Sequence, residues 1–246
     1  MPTILLVRPA NRAVVDQLIC SEAGWHGVPF GVQEILADEA ALARLPEDYA
    51  AADAVFWVSP SAVQTGIGSL DAGAIREKWN ITVGSASAEA LQNMGCQKIF
   101  APHEGKDSEA VLRLDVWQNL PPGARVLVIR GHGGRDFLLD ALAARGFSVQ
   151  LAEIYYRVPK TPDWQAFADL QPHAAWVPSA DAARLFWAQM PAGLVPQAES
   201  LLYFTHHPRI AAVLKEQGAE RIELIERFDA QTLNRYTEQA DERRKP

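Results

Sequence analysis

The chain has 246 residues, 48% of them apolar, enough for one large domain or two small ones with ordinary cores. A net charge of −7 excludes a global basic field for nucleic acid, and no apolar run approaches the roughly twenty residues that span a bilayer. Only Cys20 and Cys96 are cysteines, neither in a C-x-x-C, and no leader-like segment precedes the first strand, so a soluble protein of the reducing cytoplasm is expected.

Thr3-Ile4-Leu5-Leu6-Val7-Arg8-Pro9 reads as a strand ending in a cation. Asn11 is placed to cap a helix with apolar positions Val14, Val15, Leu18 and Ile19, closed by Gly24. Val28 to Ile35 is extended and broken by Pro29 and Gly31, a strand, a linker or both. Ala37 to Leu45 is a short helix stopped near Pro46. Ala54-Val55-Phe56-Trp57-Val58 is a buried strand running into Ser59-Pro60-Ser61, with a helix from about Ala62. Ile81-Thr82-Val83-Gly84 is another short strand, followed by Ser85-Ala86-Ser87 and a helix closed by Gly95. Lys98 to Pro102 adds a strand, and the polar loop His103 to Asp107 leads to Ser108, the cap of a helix reaching about Leu120.

Arg125-Val126-Leu127-Val128-Ile129-Arg130-Gly131 is again a strand ending in a cation, with a glycine-rich loop, His132 to Asp136, after it. A helical pattern through Phe137, Leu138, Leu139, Ala141 and Leu142 closes at Gly146, and a strand from Ser148 to Ile154 leads to Tyr155-Tyr156-Arg157. Ala174-Ala175-Trp176-Val177 ends in Pro178-Ser179-Ala180 as Val55 to Val58 ends in Ser59-Pro60-Ser61. Leu201 to His207 precedes a helix closed by Gly218, and Ile222-Glu223-Leu224 is a last strand. Leu5 and Leu127 are 122 apart, Ser59 and Ser179 are 120 apart, and Gly95 and Gly218 are 123 apart. Three units in the same order at nearly equal offsets indicate an internal duplication. Short apolar strands alternating with helices predict parallel sheets covered on both faces. The charged, apolar-poor stretch 237–246 is expected to be a disordered tail.

The strand ends hold the candidate chemistry, because ligands of open α/β sheets bind at that edge. Ser59, Ser61, Ser85, Ser87 and Ser179 precede or open helices, where free N–H groups receive carboxylate or phosphate; singly each reads as a plain N-cap, but repeated at the same edge they point to a shared anionic ligand. Arg8 and Arg130 sit at matching strand ends and either grip carboxylates or pair with acids of their own domain. Gly131-His132-Gly133-Gly134 is no phosphate fingerprint, since position 136 is Asp and no G-K-[ST] follows. His206 and His207 are adjacent and lack a third ligand, so no metal is expected. His132 is able to do acid–base work but reads first as a solvated loop residue, and Tyr155 and Tyr156 read as packing or as neutral proton donors.

Taken together, Val126 to Gly131 with Gly134-Arg135-Asp136 and Leu138, the strand into Tyr155-Tyr156-Arg157, Val55 to Val63, Val83 to Ala88 and His207-Pro208-Arg209-Ile210-Ala211 resemble the uroporphyrinogen-III synthase family, in the family order over most of the chain. The resemblance implies two similar α/β domains, each a parallel sheet flanked by helices, joined by a two-stranded linker with a cleft between them. One would hold residues 1–34 plus 159–246 and the other 36–156, linked through Gly31 to Ile35 and Glu153 to Arg157. It implies cyclisation of hydroxymethylbilane, a linear tetrapyrrole, to uroporphyrinogen III, with loss of water, inversion of ring D, and no metal or organic cofactor. The family's important tyrosine carries over onto Tyr156, with Tyr155 open because the two are adjacent. Ser59, Ser87 and Ser179 match hydroxyl positions of the family's cleft, Ser87 standing where Thr is frequent, and His207 matches no more than a cleft wall. With Arg8, Ser61, Ser85, Arg130 and Gly131 these form the expected substrate-binding set. A monomer receiving its substrate by transient handover from hydroxymethylbilane synthase is expected. The alternatives are a non-catalytic tetrapyrrole- or small-anion-binding module of the same fold.

Overall fold

A computed structural model describes residues 1–103, 108–134 and 136–242. The chain begins β1 (Thr3–Leu6), α1 (Ala10–Glu22), β2 (His26–Pro29), β3 (Gln33–Ala37), α2 (Glu39–Ala51), β4 (Ala54–Trp57), α3 (Pro60–Gly66), α4 (Ala72–Glu77). It continues β5 (Trp79–Thr82), α5 (Ser85–Asn93), β6 (Ile99–Phe100), α6 (Ser108–Leu112), β7 (Arg125–Gly131), α7 (Phe137–Ala144), β8 (Ser148–Pro159), α8 (Trp164–Leu170). It ends β9 (Ala174–Trp176), α9 (Ala180–Ala188), α10 (Val195–Glu199), β10 (Leu202–Thr205), α11 (Pro208–Glu216), β11 (Arg221–Leu224), α12 (Ala230–Glu242).

The chain divides into two compact units, Met1–Glu34 with Val158–Pro246, and Ile35–Arg157. The first holds a sheet of order β11-β10-β9-β1-β2, the second a sheet of order β6-β5-β4-β7-β8 with β3 added at its edge. The duplication reaches the level of register. Leu5 pairs with Ala175 and Val28, as Leu127 pairs with Val55 and Gln150. Ala175 pairs with Tyr203 and Tyr203 with Ile222, as Val55 pairs with Asn80 and Asn80 with Ile99. Each rung is thus displaced by 120 to 123 residues, the spacing seen in the sequence.

The inner strands of both sheets, such as β1, β4, β9 and β10, are buried on both faces and so read as continuous apolar runs. In the first unit Leu5 and Val7 face the cluster around Phe167 and Phe186, while Ile4 and Leu6 face Cys20 and Trp25. In the second unit Val55, Trp57, Leu127 and Ile129 lie on one side and Phe56, Val126 and Val128 on the other. Asn80 is the polar node of the second core. It is fully buried; its side-chain carbonyl accepts from Trp57 Nε1 at 2.9 Å and Tyr49 Oη at 3.2 Å, and its amide donates to the Lys78 carbonyl at 2.9 Å. Gly24, Gly95, Gly146 and Gly218 follow helix ends with positive φ, the stops expected of them.

Several elements depart from expectation. α1 begins at Ala10 behind Pro9 and turns Val14, Val15 and Leu18 to solvent, 55%, 65% and 67% exposed. Its inner face is Ala13, Asp16, Cys20 and Ala23, small residues that let the helix approach β2 so closely that a Cβ on Gly27 would lie 3.0 Å from Cys20. α2 runs through Pro46 instead of stopping there. Burial of Ala41, Leu45 and Tyr49 along one face outweighs the roughly 3 kcal/mol an internal proline costs. The helix from Ser108 ends at Leu112, and Asp115–Gln118 form a separate 3-10 turn, pinned where Trp117 Nε1 donates to the Val111 carbonyl at 2.7 Å. The stretch expected to be a disordered tail from 237 instead continues α12 to Glu242, with 243–246 outside the described residues. Buried Leu233, and Tyr236 donating to Glu223 at 3.1 Å, anchor that helix, and an anchored helix propagates readily. Most of the polar loop 103–107, and Arg135, also lie outside the described residues.

Candidate active site

Each sheet has one topological switch point, the place where the chain changes direction across the sheet. From β4 the chain moves outward to β5 and β6, then returns to the other side of β4 as β7. From β1 it moves to β2, then returns on the other side as β9. Ligands of open α/β sheets bind outside the carboxyl ends of the strands at such a point. Ser59 and Gly131 flank it in the second unit, and Arg8 and Ser179 in the first.

Gly131 ends β7, between β4 and β8. Having no side chain, it lets the ring of Tyr155 lie across the end of β7; a Cβ there would sit 2.4 Å from Tyr155 Cε2. Tyr155 is fully buried, its hydroxyl 3.1 Å from Ser59 Oγ and accepting from the Arg157 guanidinium at 2.8 Å. Ser59 Oγ also accepts from Ala62 N at 3.2 Å, capping α3.

A β-bulge decides where the second tyrosine goes. Arg130 pairs with Glu153 but Gly131 with Tyr155, leaving Ile154 over. Strand alternation breaks there: Ile154 and Tyr155 are both buried, and Tyr156 turns outward, 41% exposed. Its hydroxyl donates to Asp38 Oδ2 at 3.1 Å. His132, the residue after β7, stacks on the Tyr156 ring with centroids 3.9 Å apart and planes 5° from parallel. Its Nε2 lies 3.0 Å from the same Asp38 oxygen and its Nδ1 3.5 Å from Glu153 Oε2. Asp38 Oδ1 accepts from Ala41 N at 3.0 Å and so caps α2. The Ala41 N–H first, and His132 next, hold the Asp38 carboxyl below the usual carboxylate range. The bond to Asp38 first, then burial, pushes the Tyr156 phenol up. The network continues through Glu153 to Arg130 Nε at 3.2 Å and from Arg130 to Asp136 at 2.8 Å.

Both strand-end arginines are therefore engaged within their own units. Arg130 is almost buried between Glu153 and Asp136, with Gly134 against its side chain. Arg8 lies 2.8 Å from Asp16, whose carboxyl is pushed up by burial and pulled back by Arg8. The ion-pair reading of these two cations is what the geometry displays. Ser179 Oγ accepts from Ala182 N at 3.1 Å, doing for α9 what Ser59 does for α3. Exposed His207 caps α11, its Nδ1 accepting from Arg209 N at 3.1 Å. Ser61 is buried, Ser85 is exposed at the start of α5, and Ser87 is buried two residues further; the α5 cap is Gly84, without a side-chain bond.

The second unit thus brings together Ser59, Gly131, Tyr155 and, around Tyr156, His132 and Asp38. His132, 31% exposed, is more than a solvated loop residue, since its Nε2 bonds to Asp38 at 3.0 Å and its Nδ1 faces Glu153. Asp38 drew no notice; its signal was that of an N-cap ahead of Glu39. Arg8, Ser179 and His207 belong to the first unit. Cys20 and Cys96 are buried and unpaired, with burial pushing the Cys20 thiol up to about 12 and the Cys96 thiol up as well, so neither is poised as a thiolate. Among the described residues no group of three or more His, Cys, Asp or Glu could hold a metal ion, and no helix is long and apolar enough to cross a membrane.

Two duplicated parallel α/β units, each with polar groups at the carboxyl edge of its switch point, define a two-unit α/β protein. The family described as uroporphyrinogen-III synthase HemD matches residues 15–233, and the chain belongs to that family. It is 29% identical to the uroporphyrinogen-III synthase of Escherichia coli K12 over 95% of this chain and 98% of that one. It is 32% identical to that of Salmonella typhimurium LT2 over 65% of this chain and 67% of the relative. Among solved structures it resembles a uroporphyrinogen-III synthetase from Helicobacter pylori 26695 with TM-score 0.61 and 16% identity, covering 94% of this chain and 96% of that one. A mutant uroporphyrinogen III synthase from the extremely thermophilic bacterium Thermus thermophilus gives 0.58 and 16%, covering 99% and 100%. At such identities these structures speak for the shared fold.

Proposed function

We propose that this protein is a uroporphyrinogen-III synthase, a hydro-lyase that closes hydroxymethylbilane to uroporphyrinogen III with loss of water and inversion of ring D. The observation that carries the reading is the similarity to the Escherichia coli enzyme along nearly the full length of both chains. Nothing in the comparisons favours a non-catalytic binding module.

Within this reading Tyr156 is the proton donor. It is open to solvent, and its phenol is pushed up, so it stays neutral and protonated at neutral pH. The O–H proton passes to the departing hydroxyl. The C–O bond breaks with its electron pair on oxygen, water leaves, and the pyrrole-stabilised azafulvene remains. The attacking pyrrole carbon later gives up one proton, which restores the phenol. Tyr155, buried and tied to Ser59 and Arg157, shapes the edge instead. N–H groups and hydroxyls at strand ends are suited to acetate and propionate arms, and the candidates are Ser59, Ser61, Ser85, Ser87 and Gly131 for the second unit and, for the first unit taken by itself, Ser179 and His207. This arrangement holds carboxylates on a chain of net charge −7. Arg8 and Arg130, already paired with acids, brace the strand ends instead of gripping substrate. The enzyme acts as a cytoplasmic monomer, with its substrate passed on by hydroxymethylbilane synthase.

The test is to generate hydroxymethylbilane from porphobilinogen with its deaminase, add this protein, oxidise, and separate the porphyrin isomers. Isomer III is expected. Isomer I alone, as in the blank without enzyme, overturns the reading.

A further inference from the structure

We propose that His132 is a positioning residue for Tyr156, acting with Asp38 to fix the plane of the phenol and the direction of its O–H bond. The inference rests on the reading of Tyr156 as the donor. The stack of His132 on Tyr156 is closer and flatter than that of Trp176 on Phe228, where centroids are 4.6 Å apart and planes 15° from parallel. It is also no product of core packing, since the His132 side chain is 31% exposed and Tyr156 is 41% exposed. Polar anchors set it. The His132 backbone N–H donates to the Tyr155 carbonyl at 2.8 Å, tying the loop to β8. Gly133 then takes φ 74°, which turns the chain away directly after the histidine. The two ring nitrogens face carboxylates from different elements, Asp38 after β3 and Glu153 on β8. Glu153 is held in turn by nearly buried Arg130.

Asp38 cannot rotate without giving up the α2 cap through Oδ1, so its Oδ2 is a fixed point. That one oxygen receives both the Tyr156 hydroxyl and His132 Nε2. The sharing has a chemical consequence. When the phenol O–H turns from Asp38 toward a departing hydroxyl, His132 stays on the carboxylate, so no bare anion is left beside the developing phenolate. The stacked ring meanwhile keeps the phenol from swinging out of reach. Misplacing a catalytic group by about 1 Å costs on the order of 10²-fold in rate.

The experiment measures kcat and KM for isomer III formation in wild type, His132→Ala, His132→Gln, His132→Phe, Tyr156→Phe and the double variant Tyr156→Phe/His132→Ala, with thermal melts alongside. His132→Ala is expected to lower kcat about tenfold with little change in KM, part of that positioning loss. His132→Gln, which keeps a donor toward Asp38, and His132→Phe, which keeps the stack, each recover part of it. In the Tyr156→Phe background, removing His132 changes kcat by less than about twofold, because the two residues act as a unit. Wild-type kcat in Tyr156→Phe would overturn the donor reading and this inference with it. A loss in Tyr156→Phe combined with wild-type kcat in His132→Ala, or with equal fold losses from His132→Ala in both backgrounds, would overturn the positioning role alone.

Discussion

Replacing Gly131 with alanine adds one methyl group where the end of β7 meets the Tyr155 ring. Gly131 needs no left-handed backbone, so the cost comes from space alone. The new Cβ would lie 2.4, 2.6 and 2.9 Å from three ring carbons of Tyr155. The ring has nowhere to retreat: it is fully buried, and Ser59 and Arg157 hold its hydroxyl. Overpacking of this kind costs about 1–3 kcal/mol, and a buried hydroxyl pulled from its partners adds about 1 kcal/mol or more. Against that, alanine restricts the unfolded chain and returns about 0.4–1 kcal/mol. A net loss of about 1–3 kcal/mol is expected, read as a lower urea midpoint. The control is Tyr155→Ala, which empties the contested space. In that background Gly131→Ala should be neutral or slightly stabilising. A Gly131→Ala protein as stable as wild type, or one that loses the same amount when Tyr155 is already alanine, would refute the reasoning.

Asn80→Leu should lower the melting temperature clearly, because the buried Trp57 Nε1–H and Tyr49 O–H lose their acceptor and each unpaired donor costs about 1–3 kcal/mol. Asp38→Ala should lower stability at neutral pH but not in acid. The Asp38 carboxyl is held below its ordinary 3.8 in the folded protein, so its contribution is fully present above that pH and is lost as pH falls through the folded value. Urea midpoints of wild type and Asp38→Ala should therefore converge below about pH 4, and a gap that stays constant with pH contradicts this. Asp38→Asn should also let the Tyr156 phenol ionise at lower pH, seen as tyrosinate absorbance that is missing from the same titration of Asp38→Asn/Tyr156→Phe.

Much of the architecture could be read from the chain because parallel strands buried on both faces are written as unbroken apolar runs. Val55 to Val58 and Ala174 to Val177 show this, and the two halves repeat the same order at offsets that match the register of both sheets. Helix faces were harder. α1 displays Val14, Val15 and Leu18 to solvent and buries Asp16, because Arg8 from the end of β1 offers the acid a partner and small residues permit a close fit. Pro46 was read as a stop because the tertiary burial of Leu45 and Tyr49 is invisible locally. The site was the least legible part. Which of Tyr155 and Tyr156 faces outward turns on one bulged residue, Ile154, and periodicity carries no mark of a bulge. Asp38 and His132 lie 94 positions apart, so no motif could join them, and only the folded second unit shows that His132 and Tyr156 share an Asp38 oxygen.

The central claim is that the outward tyrosine, not its buried neighbour, carries the dehydration. The direct measurement is the initial rate of uroporphyrinogen III formation from freshly generated hydroxymethylbilane by wild type, Tyr156→Phe and Tyr155→Phe at matched folded concentration. General-acid assistance contributes about 10²–10⁴-fold, so Tyr156→Phe should fall by about 10²-fold or more while Tyr155→Phe keeps most of the wild-type rate and loses stability instead. A Tyr156→Phe protein that forms isomer III at the wild-type rate, or a Tyr155→Phe protein that is folded and inactive, would contradict it.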